Sequence, residues 1–323
     1  MHCTLVSTIL AVGLSSLPPA SALSIPKLSR RAVIDKPAVK PAFSNAKQER
    51  HLHKELPQVS WRQEPWESGY LPEACVSDAQ NTGFDPADFE AVEAWYDDCD
   101  ASWTICRHKK ADESWDYILD TWGKIPVGLR QNVANIVIVA RPAHSAISPP
   151  KQLDSAYARP EAAALMFSPG HFTPGIIIHE TAHLLDILSP TLQSIGTPYS
   201  LTQAWQSIVA SDKAVPTEYS KSSWEENFAD AVRWAISHMV HGGGGLRAYS
   251  RGWAGCKGQV DEVERLLKGE FWSDRCTGKV ASSRRVQVGD TSGLMGRGLE
   301  NRTSEKMVGV CQDRCRRFGC REV

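Results

Sequence analysis

The stretch Thr173-Pro-Gly-Ile-Ile-Ile-His-Glu-Thr-Ala-His183 constrains this chain more than any other. Proline suits the first position of a helix, where its missing N–H leaves nothing unsatisfied, and Thr173 stands where a cap is expected. Ile176, Ile177, Ile178, Leu184 and Leu188 would bury that helix until Pro190 ends it. On such a helix His179 and His183 share one face, with Cβ atoms roughly 5–6 Å apart, close enough for both imidazoles to meet one ion. Glu180 lies about 100° round the axis. It would flank the ion as a general base acting on metal-bound water. Zinc is the expected ion, because two imidazoles, one further ligand and an open water position make its catalytic arrangement. In a chain with ten histidines, H-E-x-x-H arises by chance in roughly one of fifty cases. The competing reading is a structural helix with surface histidines, and the third ligand must decide.

Two zinc-site patterns fail. A metzincin needs Gly and His where Asp186 and Ser189 stand, and Gly196-Thr197-Pro198-Tyr199 lacks the aspartate of an aspzincin element. The remaining candidate is Trp224-Glu-Glu-Asn-Phe-Ala-Asp230. A glutamate on a second helix can complete a His₂Glu set, and a carboxylate one turn on lies on the same face. Glu226 also occupies the third position after Ser223, so a capping box is its structural alternative, and Glu225 competes with it as ligand.

Tyr219, Glu226 seven residues on, and Phe228-Ala229-Asp230 follow a H-E-x-x-H-x-x-D segment running from His179 to Asp186. This series resembles the anthrax lethal factor-like zinc peptidases. The resemblance implies that His179, His183 and Glu226 hold Zn²⁺, Glu180 is the base, and Tyr219 donates to the scissile oxyanion. It also implies that Asp230, with Asp186 nearby, orients the ligands from behind. It covers about residues 170–240. A looser likeness carries further: Trp103-Thr-Ile-Cys-Arg107, Ile125-Pro-Val-Gly-Leu-Arg130, the strand at 136–140 and the later H-E-x-x-H resemble fungal secreted proteins labelled conidiation-specific. That label names an expression setting and adds secretion and lineage.

The expected fold is therefore α+β and zincin-like, a small sheet over the active-site helix, disulfide-bonded. Its expected work is zinc-dependent hydrolysis of a peptide or protein substrate. A catalytically inert secreted zinc-binding, effector or surface protein is the alternative. Formal net charge −1, from 36 basic and 37 acidic side chains, argues against a nucleic-acid partner. No stretch beyond the N-terminus nears the roughly 18 apolar residues of a membrane span. Nothing in the sequence sets the oligomeric state.

Leu5–Leu14 followed by Ala20-Ser21-Ala22 reads as a secretory signal peptide over 1–22, and Arg30-Arg31 as a processing site ending a propeptide over 23–31. Secretion agrees with the cysteines: Cys3 would leave with the signal, and eight remain of nine, an even set whose default is disulfides. Local spacing suggests Cys99–Cys106 and Cys256–Cys276. Asn301-Arg-Thr is a glycosylation sequon. Residues 32–60 read as a flexible arm, 61–276 as the catalytic domain, and 277–323 as a basic tail, with ten basic and five acidic residues, anchored by Cys311, Cys315 and Cys320. Helices are expected from Asp85 through Phe89, Val92 and Trp95, over 111–122, 201–211, 223–241 and 259–268. Strands are expected at 135–140 and 162–168.

Overall fold

A computed structural model of the chain describes residues 34–141 and 156–288. In order, the first half contains α1 (Asn45–Glu55), β1 (Trp61–Pro65), β2 (Tyr70–Pro72), α2 (Glu73–Thr82), β3 (Phe89–Tyr96), β4 (Cys99–His108), α3 (Trp115–Lys124), α4 (Val127–Arg130) and β5 (Asn135–Ile138). Then follow β6 (Ala156–Arg159), β7 (Ala164–Phe167), α5 (Pro174–Leu188), α6 (Pro190–Gln193), α7 (Gln203–Ser211), α8 (Trp224–Val240), α9 (Lys257–Phe271) and β8 (Arg285–Gln287). The signal peptide, the Arg30-Arg31 site, Asn301 and the three C-terminal cysteines lie outside the described residues. Among the described residues no helix is long and apolar enough to cross a membrane.

Six strands form one sheet in the order β1-β3-β4-β5-β7-β6. The central β4-β5-β7 steps are parallel, while the β1-β3, β3-β4 and β6-β7 pairs are antiparallel. Period-two alternation sorts its side chains into two cores. Val92, Ile105, Ile136, Ile138, Leu165 and Phe167 enter a large core shared with the helices from α3 onward. Ala91, Cys106, Val137 and Met166 face a smaller core with Cys75, Val76 and Ala79 of α2. This two-sided burial is why the run at 136–138, which follows Asn135, is apolar throughout. The mixed α+β expectation, with a small sheet and disulfides, holds.

Several expectations are corrected. Asp85 does cap a turn, accepting from Ala87 N at 2.9 Å, but only one 3₁₀ turn, Pro86–Asp88, follows. Residues 89–96 are strand β3: Phe89 and Ala91 enter the smaller core, Val92, Ala94 and Tyr96 the larger one, and Trp95 lies beneath the Arg62 guanidinium. The helix expected over 111–122 begins at Trp115, where Ser114 Oγ caps Tyr117 N. Within the expected arm at 32–60, residues 34–56 are packed structure. Ile34, Val39, Phe43, Leu52 and Leu56 are buried, and Phe43 stacks on Trp234 with ring centroids 4.0 Å apart. Polar residues of α1 are buried through hydrogen bonds rather than apolar periodicity: Gln48 donates to Ser237 Oγ at 2.6 Å and accepts from Arg233 Nε at 2.6 Å. The start of the expected tail is also anchored. Val280 N donates to Gln131 O at 2.8 Å, and β8 pairs antiparallel with β2.

The disulfides are Cys75–Cys106, joining α2 to β4, and Cys99–Cys276, joining the start of β4 to the chain after α9. Neither expected pair forms. Cys256 is buried with its thiol outside any disulfide, donating to Trp253 O, and burial pushes it up to about 12. Nearness in sequence misled here because Cys99 and Cys106, seven residues apart on β4, stand on opposite faces of the strand, and Cys256 and Cys276 lie at opposite ends of α9.

Candidate metal centre

Helix α5 carries the H-E-x-x-H segment and packs against α8. Thr173 holds the cap position but its side chain caps nothing. The cap comes from α1 instead: Glu49 Oε2 accepts from Gly175 N at 2.9 Å. A Cβ at position 175 would lie 2.4 Å from Glu49 Oε1, so glycine there lets α1 approach. Helix α8 begins as expected, with Ser223 Oγ accepting from Glu226 N at 3.2 Å. The Glu226 carboxylate turns instead toward α5.

Three donor atoms converge there. Glu226 Oε2 lies 3.1 Å from His179 Nε2 and 3.4 Å from His183 Nε2, and one ligand atom from each residue falls within 4.8 Å of the others. His179 Nδ1 lies 3.2 Å from Asp230 Oδ1, in ion-pair range though off the ideal hydrogen-bond direction. Glu225 lies outside this group and lines the cleft beside it. The residue-by-residue spacing therefore brings His179, His183, Glu226 and Asp230 together.

The electrostatics favour positive charge at this point. Burial by itself would lower His179, but the Asp230 and Glu226 carboxylates outweigh it and push the imidazole up to about 10. Burial also opposes ionisation of Glu226 and Asp230, yet their histidine bonds hold both carboxyls well below the usual range. Two ring nitrogens facing one carboxylate oxygen, with a second carboxylate behind His179, suit a divalent cation.

The centre opens into a cleft of about 1470 Å³ walled by residues 38–43, by β6, and by the turn at 216–219. Glu180 stands in that cleft, buried, beside the Ala158 backbone of β6. Burial raises its pKa. The Tyr219 ring lies 5.8 Å from the His179 ring and is 57% exposed. Its phenol is raised by burial and then by the neighbouring Glu226 carboxylate.

Asp186 lines the same cleft, within electrostatic reach of His183. Its Oδ1 accepts from Ser200 N at 2.8 Å and its Oδ2 from Ser200 Oγ at 2.6 Å, so both oxygens anchor the turn at 199–201. Burial, opposed by those bonds, sets it to about 6. Two hydroxyls that the sequence reading passed over join the site. Thr217 Oγ1 and Ser220 Oγ both donate to Asp230 Oδ2. A threonine and a serine in a polar turn carry no sequence signal for such a role.

Comparison with known proteins places this chain in a family. Residues 48–313 match the family model described as conidiation-specific protein Con-13, and the chain belongs to that family. It is also 32% identical over 165 residues to Conidiation-specific protein 13 of Neurospora crassa, a match covering 51% of this chain and 45% of that protein. The matched stretch thus spans less than half the length of that relative. The looser fungal resemblance read from the sequence holds at the level of family.

Proposed function

We propose that this Con-13 family chain is a secreted zinc-dependent metallopeptidase with a zincin-like, lethal factor-like catalytic centre. The observation that carries the reading is the convergence of His179 Nε2, His183 Nε2 and Glu226 Oε2 beside a buried Glu180, at an open cleft. The donor set fits zinc: two imidazoles and one carboxylate, with a cleft side left for solvent and substrate. When bound, zinc supplies a Lewis acid and lowers the pKa of a water it holds.

The chain's own residues supply the rest. His179, His183 and Glu226 are the holders, and Asp230 fixes the tautomer and orientation of His179 through Nδ1. Glu180, its pKa raised by burial, takes the proton of the attacking water and delivers it to the leaving amine. The Tyr219 hydroxyl, close to Glu226 in the resting chain, turns to the oxygen that gains charge as the tetrahedral centre forms. The walls at 38–43 and β6 bound the space for an extended peptide.

Glu180→Gln tests this directly. The variant keeps the ligand set, so zinc content stays near that of the wild type while cleavage of a peptide library falls below detection. Equal cleavage by wild type and variant would remove Glu180 from the chemistry. Zinc in both with cleavage in neither would favour the inert zinc-binding alternative.

A further inference from the structure

We infer that Thr217 and Ser220 are positioning residues that lock the Tyr219 turn to the helix carrying Glu226, using Asp230 as the shared latch. The inference rests on the metallopeptidase reading above. Asp230 divides its two oxygens: Oδ1 faces His179 Nδ1 at 3.2 Å, while Oδ2 accepts from Thr217 Oγ1 and, at 2.6 Å, from Ser220 Oγ. The hydroxyls also close the turn on itself. Thr217 N donates to Ser220 Oγ and Ser220 N donates to Thr217 Oγ1, each at 3.1 Å. Tyr219 sits inside this closed turn and is itself more than half exposed, so its own packing does not hold it.

The turn is pinned from outside as well. Val215 N donates to Pro37 O, Val39 N to Val215 O, and Ile34 N to Lys221 O, at 2.9, 3.0 and 2.9 Å. The polypeptide on both sides of Tyr219 is therefore fixed, and the inner anchor is the carboxylate that orients a ligand. One group sets both the metal side and the oxyanion side of the cleft. Ser220 and Asp230 are both buried, so water is a poor substitute for the missing hydroxyls.

The test compares Thr217→Val/Ser220→Ala with Thr217→Ser in the full secreted chain. The double variant is expected to lose 10–100-fold in kcat with KM little changed, and to release zinc to a competing chelator roughly 10–100-fold more readily. Amide exchange over 217–222 should quicken in it. Thr217→Ser keeps the donor and should restore all three readouts. Unchanged exchange, or quickened exchange with kcat and zinc affinity within about twofold of wild type, overturns the inference. A wild type without zinc or turnover would fail the underlying reading instead, and exchange alone would then show whether the latch exists.

Discussion

Tyr219 combines exposure with tight flanks: 57% of its surface is open, while Ser220 beside it is fully buried. Such a hydroxyl can exchange Glu226 for an oxygen whose charge appears only in the transition state. Tyr219→Phe is therefore expected to lower kcat by roughly 10²–10³, the usual cost of one oxyanion donor, while KM and zinc content stay near wild type. Full activity in that variant would take the tyrosine out of the mechanism. At this scale the sequence was informative wherever helical spacing did the work. His179, His183, Glu226 and Asp230 are placed by turns of two helices, and a period is readable. Asp186 was readable either as a site carboxylate or as a helix-face charge, and its partner Ser200 is set by tertiary packing that no helical period announces. Thr217 and Ser220 were invisible because their partner is set by tertiary packing.

The two helices of the site depend on α1, which packs against both α5 and α8. Glu49 caps α5, and Gln48 and Asn45 hold Arg233 of α8 through 2.6 and 2.9 Å bonds. Glu49→Ala should cost about 1 kcal/mol, the usual worth of a helix cap. Gly175→Ala should cost a similar amount, since its Cβ displaces the same carboxylate. The two costs should not add when combined, because both remove one interaction. Additive losses in denaturant unfolding would show that Glu49 and Gly175 act separately. Segment 34–56 was not legible because its buried apolar residues, Ile34, Ala38, Val39, Phe43, Leu52 and Leu56, follow no single period, and Gln48 is buried through hydrogen bonds. β3 escaped for a different reason. Phe89, Val92 and Trp95 fit a helical period, and only pairing with β1 and β4 decides for period two.

Across the whole molecule, segments far apart in sequence meet in one core. Trp103 of β4 donates through its indole to Arg130 O at 3.0 Å. The fully buried Arg130 guanidinium pairs with Asp98 and lies 4.8 Å from the Trp103 ring. Cys99–Cys276 ties the same corner to the chain beyond α9. The 103–107 and 125–130 segments thus build the sheet corner, while α5 and α8 build the centre. The central claim is that this frame brings His179, His183 and Glu226 onto one zinc ion. Elemental analysis of protein purified without chelators tests it most directly. About one zinc per chain is expected in the wild type and in Glu225→Ala, and essentially none in Glu226→Ala. Metal-free wild type, or zinc lost from Glu225→Ala and kept by Glu226→Ala, would contradict the account.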